Sequence, residues 1–448
     1  MNSSELHLIN ARLPLLDENG LYELKASDGS WTSIALQQQG TIPCADSFLP
    51  MDEWFSKPFN AGSDCALDLQ GRVLIPGMVD AHMHLDKAYS LAKVGNRSGT
   101  LHEAITNYRA AVQSFTKEEL KNRIRKAALR ALSFGTTALR SHLDFPVKAG
   151  RETAFRAVHA ALEVKEELQG VLQMQFFPMC PYDKLTKEEM EMIEEALKLG
   201  MDGVGGAPHL SMTPEEDMDL IFALAAKYGK PVDLHADESD DPTIQTIAYI
   251  AEKTIEYGYQ GRVTVGHLCS LSAIDQARAG QLIERMADAR LGAVTLPAVN
   301  LYLQGRGDQG LIRRGTTRVK ELLNAGIALA AASDNIQDPF HPFGKGDLLQ
   351  IALITGYAAH LGSPADQLAL LRMVTETPAS ILGLGVYGIF AGASADFVVL
   401  DARSAHELLT EQPSGRAVYR GGRWVYASAQ TETWGLNVLD RLASLIQG

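Results

Sequence analysis

The sequence predicts an α/β fold: a (β/α)8 TIM barrel carrying a small β-sandwich domain built from both chain ends. Three observations carry this. The middle of the chain alternates short apolar runs with patterned helices. Strand-like runs broken by turn residues occupy both ends instead. His, Asp and Glu recur where the barrel strands end, which is where barrel chemistry sits. The expected division is a first sandwich part over 1–72, the barrel over 73–382, and a second sandwich part with a C-terminal tail over 383–448. An open doubly wound sheet is the alternative architecture. No Gly-x-Gly-x-x-Gly opens a helix, so a dinucleotide crevice has no support.

In chain order, Leu6–Ile9, Trp31–Leu36 and Ala66–Leu69 read as strands, with turns at Asp17-Glu18-Asn19-Gly20 and Asp28-Gly29. Barrel strands are expected at Leu74–Met83, Thr136–His142, Leu172–Phe177, Gly203–Gly206, Val232–His235, Val263–His267, Ala293–Pro297 and Ile327–Ser333. Between them run helical patterns such as Lys117–Phe134, Arg151–Glu167, Lys187–Leu199, Pro214–Tyr228, Ile244–Tyr257 and Ala273–Leu291. Strand texture returns in 395–401 and 416–426.

Bulk properties narrow the function. Hydrophobic residues at 46% and charged residues at 21% are ordinary for a globular protein with a large core. The formal charge of -13 argues against nucleic-acid and anionic-membrane binding, both of which need basic surfaces. The expected partner is a small molecule. Cys44, Cys65, Cys180 and Cys269 form no CxxC pair, so neither a disulfide framework nor a Cys-rich zinc site is indicated. No signal-peptide pattern and no apolar run of 18 residues is apparent, so a cytoplasmic protein is the expectation.

The chemistry-bearing residues cluster at strand ends. Strand one ends in His82-Met83-His84, whose imidazoles project to one face about 7 Å apart along the chain, a metal half-site. His142 ends strand two, His235-Ala236-Asp237-Glu238 strand five, Gly266-His267 strand six, and Ser333-Asp334-Asn335 strand eight. Any one alone reads better as a core histidine or a helix-capping Asp. Together they point to a metal site.

Six segments carry a resemblance to the amidohydrolase superfamily, in its cytosine deaminase-like branch, over nearly the whole chain. They are Val79–Lys87, Arg140–Asp144, Asp233–Glu238, Thr264–His267, Asn300–Arg306 and Ser333–Asn335. The resemblance implies metal ligands His82, His84, His235 and Asp334 and one divalent ion, Zn²⁺ or Fe²⁺. A bridging lysine of dinuclear relatives belongs at the end of strand four, where this chain has Gly205-Gly206-Ala207-Pro208-His209. Such an ion lowers the pKa of bound water to about 7. The resulting hydroxide is expected to attack the amine-bearing carbon of an electron-poor ring.

The resemblance also implies the catalytic residues. Glu238 carries a proton to the ring nitrogen, His267 polarises the nucleophile, and Asp334 doubles as base toward the leaving ammonia. Strand alternation alone favours Asp237, which shares a face with His235; only the family match selects Glu238. Gln304 is expected to close over the ring. His142, His209 and Lys87 stay open between pocket and structural roles, and a homo-oligomer stays open as well.

The substrate-reading positions depart from the branch. Phe177-Pro178-Met179 stands where cytosine deaminases carry Phe-Pro-Gln, and a thioether is only a weak acceptor. Asn335 replaces a second Asp, and Phe340 a Trp. The stretches 332–338 and 342–347 are similar to isopropylammelide amidohydrolases, which lack the Glu present here as Glu238. The expectation is a deaminase of a small aminated N-heterocycle, cytosine-like (cytosine, 5-methylcytosine or isocytosine), with Met179, Asn335 and Phe340 as altered readers. The alternative is a cyclic amide or N-alkylamino-triazine amidohydrolase on the same site.

Overall fold

A computed structural model describes residues 5–37, 53–54, 66–310, 312–430 and 433. Cys44 and Cys65 lie outside the described residues. Cys180 and Cys269 are free and buried.

Eight parallel strands form the barrel sheet: β6 (Met78–Met83), β7 (Thr136–Asp144), β8 (Gln173–Met179), β9 (Val204–Gly206), β10 (Val232–Ala236), β11 (Val263–His267), β12 (Gly292–Thr295) and β13 (Ala328–Ala331). They pair in sequence order, as βα units with right-handed crossovers require. β10 and β11, five residues each, are buried along their whole length. In β10, Val232, Leu234 and Ala236 pack in the barrel's hydrophobic core, while Asp233 and His235 take the opposite face. Several helices between strands start at a side-chain cap, as at Thr116, Thr186 and Asp275. Thr186 and Glu189 form a capping box for Lys187–Leu199, which ends at Gly200.

The terminal sheet is mixed and uses both chain ends: β1 (Glu5–Leu13), β2 (Asp17–Ser27), β3 (Ser30–Leu36), β4 (Leu67–Asp68), β5 (Val73–Pro76), β14 (Phe397–Leu400), β15 (Arg416–Arg420) and β16 (Arg423–Ser428). It curls until β3 meets the chain entering β14, with Trp31 N–H donating to Ala393 O at 2.9 Å. Trp31, Trp54, Phe397 and Tyr419 fill the core this creates. The single strand expected over 74–83 is two strands broken at Gly77. Residues 73–76 pair with β14 in the terminal sheet, and only Met78 onward enters the barrel.

Two interior features position the site. Arg140 ties the barrel floor together, with Nη1 2.6 Å from Asp233 Oδ2 and Nη2 2.9 Å from Gln175 Oε1. Its guanidinium lies over the Phe177 ring. Gly266 admits the His82 imidazole, since a Cβ there lies 3.1 Å from that ring. Among the described residues, no helix is long and apolar enough to cross a membrane.

Candidate active site

The strand ends bring His82, His84, His235 and Asp334 to one buried point. Nε2 of His82 and Nε2 of His84 each lie 3.1 Å from Nε2 of His235. Asp334 Oδ1 lies 3.3 Å from His84 Nε2 and 3.6 Å from His82 Nε2. Burial holds all three imidazoles well below their ordinary pKa, so they are neutral donors of lone pairs. His84 Nδ1 bonds the His142 carbonyl at 3.2 Å, which puts the ring proton on Nδ1 and turns the Nε2 lone pair inward. Both Asp334 carboxylate oxygens are buried without a hydrogen-bond partner among the described residues. Such a group carries a large desolvation penalty unless a cation meets it. This donor set fits a divalent ion.

Glu238 and His267 stand beside that point. Glu238 Oε1 is 3.5 Å from His267 Nδ1. Burial, then the Asp334 charge, push the Glu238 carboxyl well above its usual range, with Lys87 opposing. Asn300 Nδ2 donates to His267 Nδ1 at 3.1 Å, which leaves the ring proton on Nε2. Asn300 opens the Asn-x-x-x-Gln-Gly-Arg motif, yet its role is legible only from this contact.

Backbone conformation decides which side chains reach the site. Asp237, His267 and Asp334 all have positive φ, at 53°, 70° and 59°. This left-handed turn breaks strand alternation and holds local strain. Asp237 thereby swings away to cap the helix Ile247–Glu256, accepting from Thr246 N at 2.8 Å and Thr246 Oγ1 at 2.6 Å. Glu238 follows it into the pocket, so alternation, which favoured Asp237, fails here.

The expected substrate readers differ in burial and local contacts. Met179 ends β8, half-buried, on the strand face of Gln175 and Phe177. Gln304 is buried just past the helix Pro297–Leu303 and packs on Gly315. Asn335 is buried, and its Nδ2 donates to Asp338 Oδ2 at 2.6 Å, so that amide nitrogen is engaged within its own loop. Phe340 is half-buried; the Lys87 ammonium lies 5.2 Å from its ring centre and 5.5 Å from that of Tyr108. The nearest carboxylate oxygen to Lys87 is Asp144 Oδ1 at 3.8 Å.

The open histidines are both buried. His142 stacks 4.2 Å from the His82 ring, with Nε2 3.5 Å from Asp233 Oδ1. His82, His142 and Asp233 also bring ligand atoms together, but Asp233 is already paired with Arg140. His209 Nδ1 donates to the His235 carbonyl at 3.0 Å, and burial pushes its pKa down to about 4. Asp80 gave no sequence signal. Its Oδ1 accepts from His82 N at 3.3 Å and Ser333 N at 3.2 Å, bracing the first and last barrel strands.

A barrel with this donor set at its strand ends defines a metal-dependent hydrolase. Residues 91–426 match the model of the amidohydrolase family, and the chain belongs to that family. It is a hydrolytic enzyme that cleaves C–N bonds. The chain is 32% identical to pterin deaminase of Rhizobium rhizogenes over 364 residues, 80% of this chain and 81% of that protein. It is equally 32% identical to N-isopropylammelide isopropyl amidohydrolase of Pseudomonas sp. over 366 residues, 80% of this chain and 87% of that protein. The fold superposes with a TM-score of 0.85 on 5-methylcytosine deaminase from Klebsiella pneumoniae liganded with 5-fluorocytosine, at 30% identity, covering 97% of this chain and 100% of that one.

Proposed function

We propose that this enzyme hydrolytically deaminates an aminopyrimidinone ring, free or fused, releasing ammonia. The observation that carries the reading is Glu238: a buried carboxyl 3.5 Å from His267, with its proton affinity raised by burial and by the Asp334 charge. Pterin is an isocytosine ring fused to a second ring, so pterin and 5-methylcytosine share the amine-bearing pyrimidinone expected here. The pterin deaminase and 5-methylcytosine deaminase relatives support that common denominator.

His82, His84, His235 and Asp334 are the residues that hold the divalent ion, Zn²⁺ or Fe²⁺. When bound, the ion makes water a competent nucleophile near neutral pH. Glu238 takes one proton from the attacking water and delivers it to the ring nitrogen beside the amine-bearing carbon. Its raised proton affinity suits this transfer. His267, with its proton on Nε2, donates a hydrogen bond to the attacking oxygen, and Asn300 keeps that tautomer. Asp334 accepts the second water proton and passes it to the leaving nitrogen. A C–O bond forms, the C–N bond breaks, and the products are ammonia and a ring carbonyl with its N–H. Met179, Gln304, Asn335 and Phe340 line the reading side in this account, with Asn335 acting through the loop it holds on Asp338.

Removal of an alkylamine from a triazine is the second reading, favoured by the isopropylammelide relative and by the segments 332–338 and 342–347. The test is product analysis with protein reconstituted in parallel with Zn²⁺ and Fe²⁺, offered aminopyrimidinones, pterin and N-alkylamino-triazines. Ammonia with an intact ring from a pyrimidinone supports the first reading. Alkylamine release alone overturns it.

A further inference from the structure

The histidine at the end of β9 is built as a hydrogen-bond acceptor with nothing to accept. His209 is nine-tenths buried, and among the described residues its Nε2 has no hydrogen-bond partner. Its other nitrogen, Nδ1, lies 3.0 Å from the carbonyl oxygen of His235. A carbonyl can only accept, so the ring proton sits on Nδ1 and Nε2 is a bare lone pair. No carboxylate pairs with His209 among the described residues, and a neutral imidazole is the form that suits such a place. The ring is fastened to the carbonyl of the ligand-bearing His235, so it stands at the edge of the catalytic cluster. An unmatched buried acceptor is unfavourable in the free protein and becomes a selective contact once a donor arrives.

We propose that His209 is a specificity-determining residue whose Nε2 accepts a hydrogen bond from a ring N–H of the substrate. The substrate class is therefore a lactam-type heterocycle with a free N–H, and rings alkylated at that nitrogen are rejected. The proposal rests on the reading of the site as one for an aminated N-heterocycle. It adds the recognition element that Met179 does not supply, because a thioether is a poor partner for a ring amide.

The test compares N–H and N-methyl rings on the metal-loaded enzyme and its His209→Ala and His209→Gln variants, all checked for metal content. Substrates are 5-methylcytosine against 1,5-dimethylcytosine and pterin against 3-methylpterin. Calorimetric binding of thymine, 1-methylthymine and 3-methylthymine gives a readout independent of turnover. The expected result is that His209→Ala lowers the preference for the N–H ring by roughly 10- to 100-fold, the worth of one buried hydrogen bond. His209→Gln, which restores an acceptor oxygen, recovers part of it. Methylation at one ring nitrogen of thymine weakens binding to the wild type and has little effect in His209→Ala. An unchanged preference in the metal-replete Ala variant overturns the inference while leaving deamination intact. Absence of ammonia release from every ring, with thymine still discriminated from one N-methyl form only through His209, overturns the deaminase reading and leaves the inference standing. If His209→Ala fails to load metal, equal wild-type binding of all three thymines overturns it.

Discussion

The backbone N–H of Asp334 donates to the carbonyl oxygen of His82 across 2.9 Å, and at this bond the last barrel strand meets the first. The seam of the barrel and the candidate metal site are thus one structure. Asp80 reinforces the seam by accepting from His82 N and Ser333 N. Asp80→Ala leaves these buried N–H groups without their acceptor, a loss of about 1–3 kcal/mol each. The expected outcome is a lower Tm and metal affinity reduced roughly 10- to 100-fold, as for other groups that orient ligands. Thermal melts and metal titration check it; an unchanged metal affinity contradicts the bracing role.

Glu238→Gln is expected to keep metal and bind the ring while turnover falls by about 10²–10⁴-fold, the usual contribution of a general acid–base. An amide cannot shuttle the proton. Metal analysis alongside steady-state ammonia release separates the two effects, and near-normal turnover removes Glu238 from its role.

The Lys87 charge acts on the same carboxyl. Burial raises the Glu238 pKa and Lys87 lowers it, so Lys87→Met makes the proton harder to remove. The acidic limb of the kcat profile is expected to move to higher pH in that variant. A limb that stays in place means Lys87 and Glu238 are uncoupled in the working enzyme.

Asp338 gives a stability signature. Burial outweighs its hydrogen bonds from Asn335, His341 and Phe340 and pushes its carboxyl up to about 7. An unfolded Asp titrates near about 3.9. The folded state therefore holds this proton more tightly. Its stabilising contribution is complete below about pH 4 and is lost as pH rises through about 7. Asp338→Asn, neutral throughout, is expected to flatten that part of the Tm-against-pH curve. An identical curve contradicts the shift.

Much of this was legible in the sequence, for identifiable reasons. Alternation puts His82 and His84 on one face, and the βα rhythm places His142, His235 and His267 at strand ends, so local periodicity sufficed. It failed where the backbone leaves the strand region. The positive φ at Asp237 reverses which acid faces the pocket, and only the family resemblance selected Glu238. Gly77 divides what reads as one apolar strand, because residues on its two sides pair in different sheets. Asp80, Asn300 and His209 depend on contacts with residues far along the chain, and no local pattern carries these.

Metal-dependent deamination is tested most directly by ammonia release from pterin and 5-methylcytosine before and after chelation, with bound metal measured in the same samples. The expected result is divalent metal at one ion per chain, loss of ammonia release on chelation, and recovery with Zn²⁺ or Fe²⁺. Undiminished ammonia release from fully metal-free protein would contradict it.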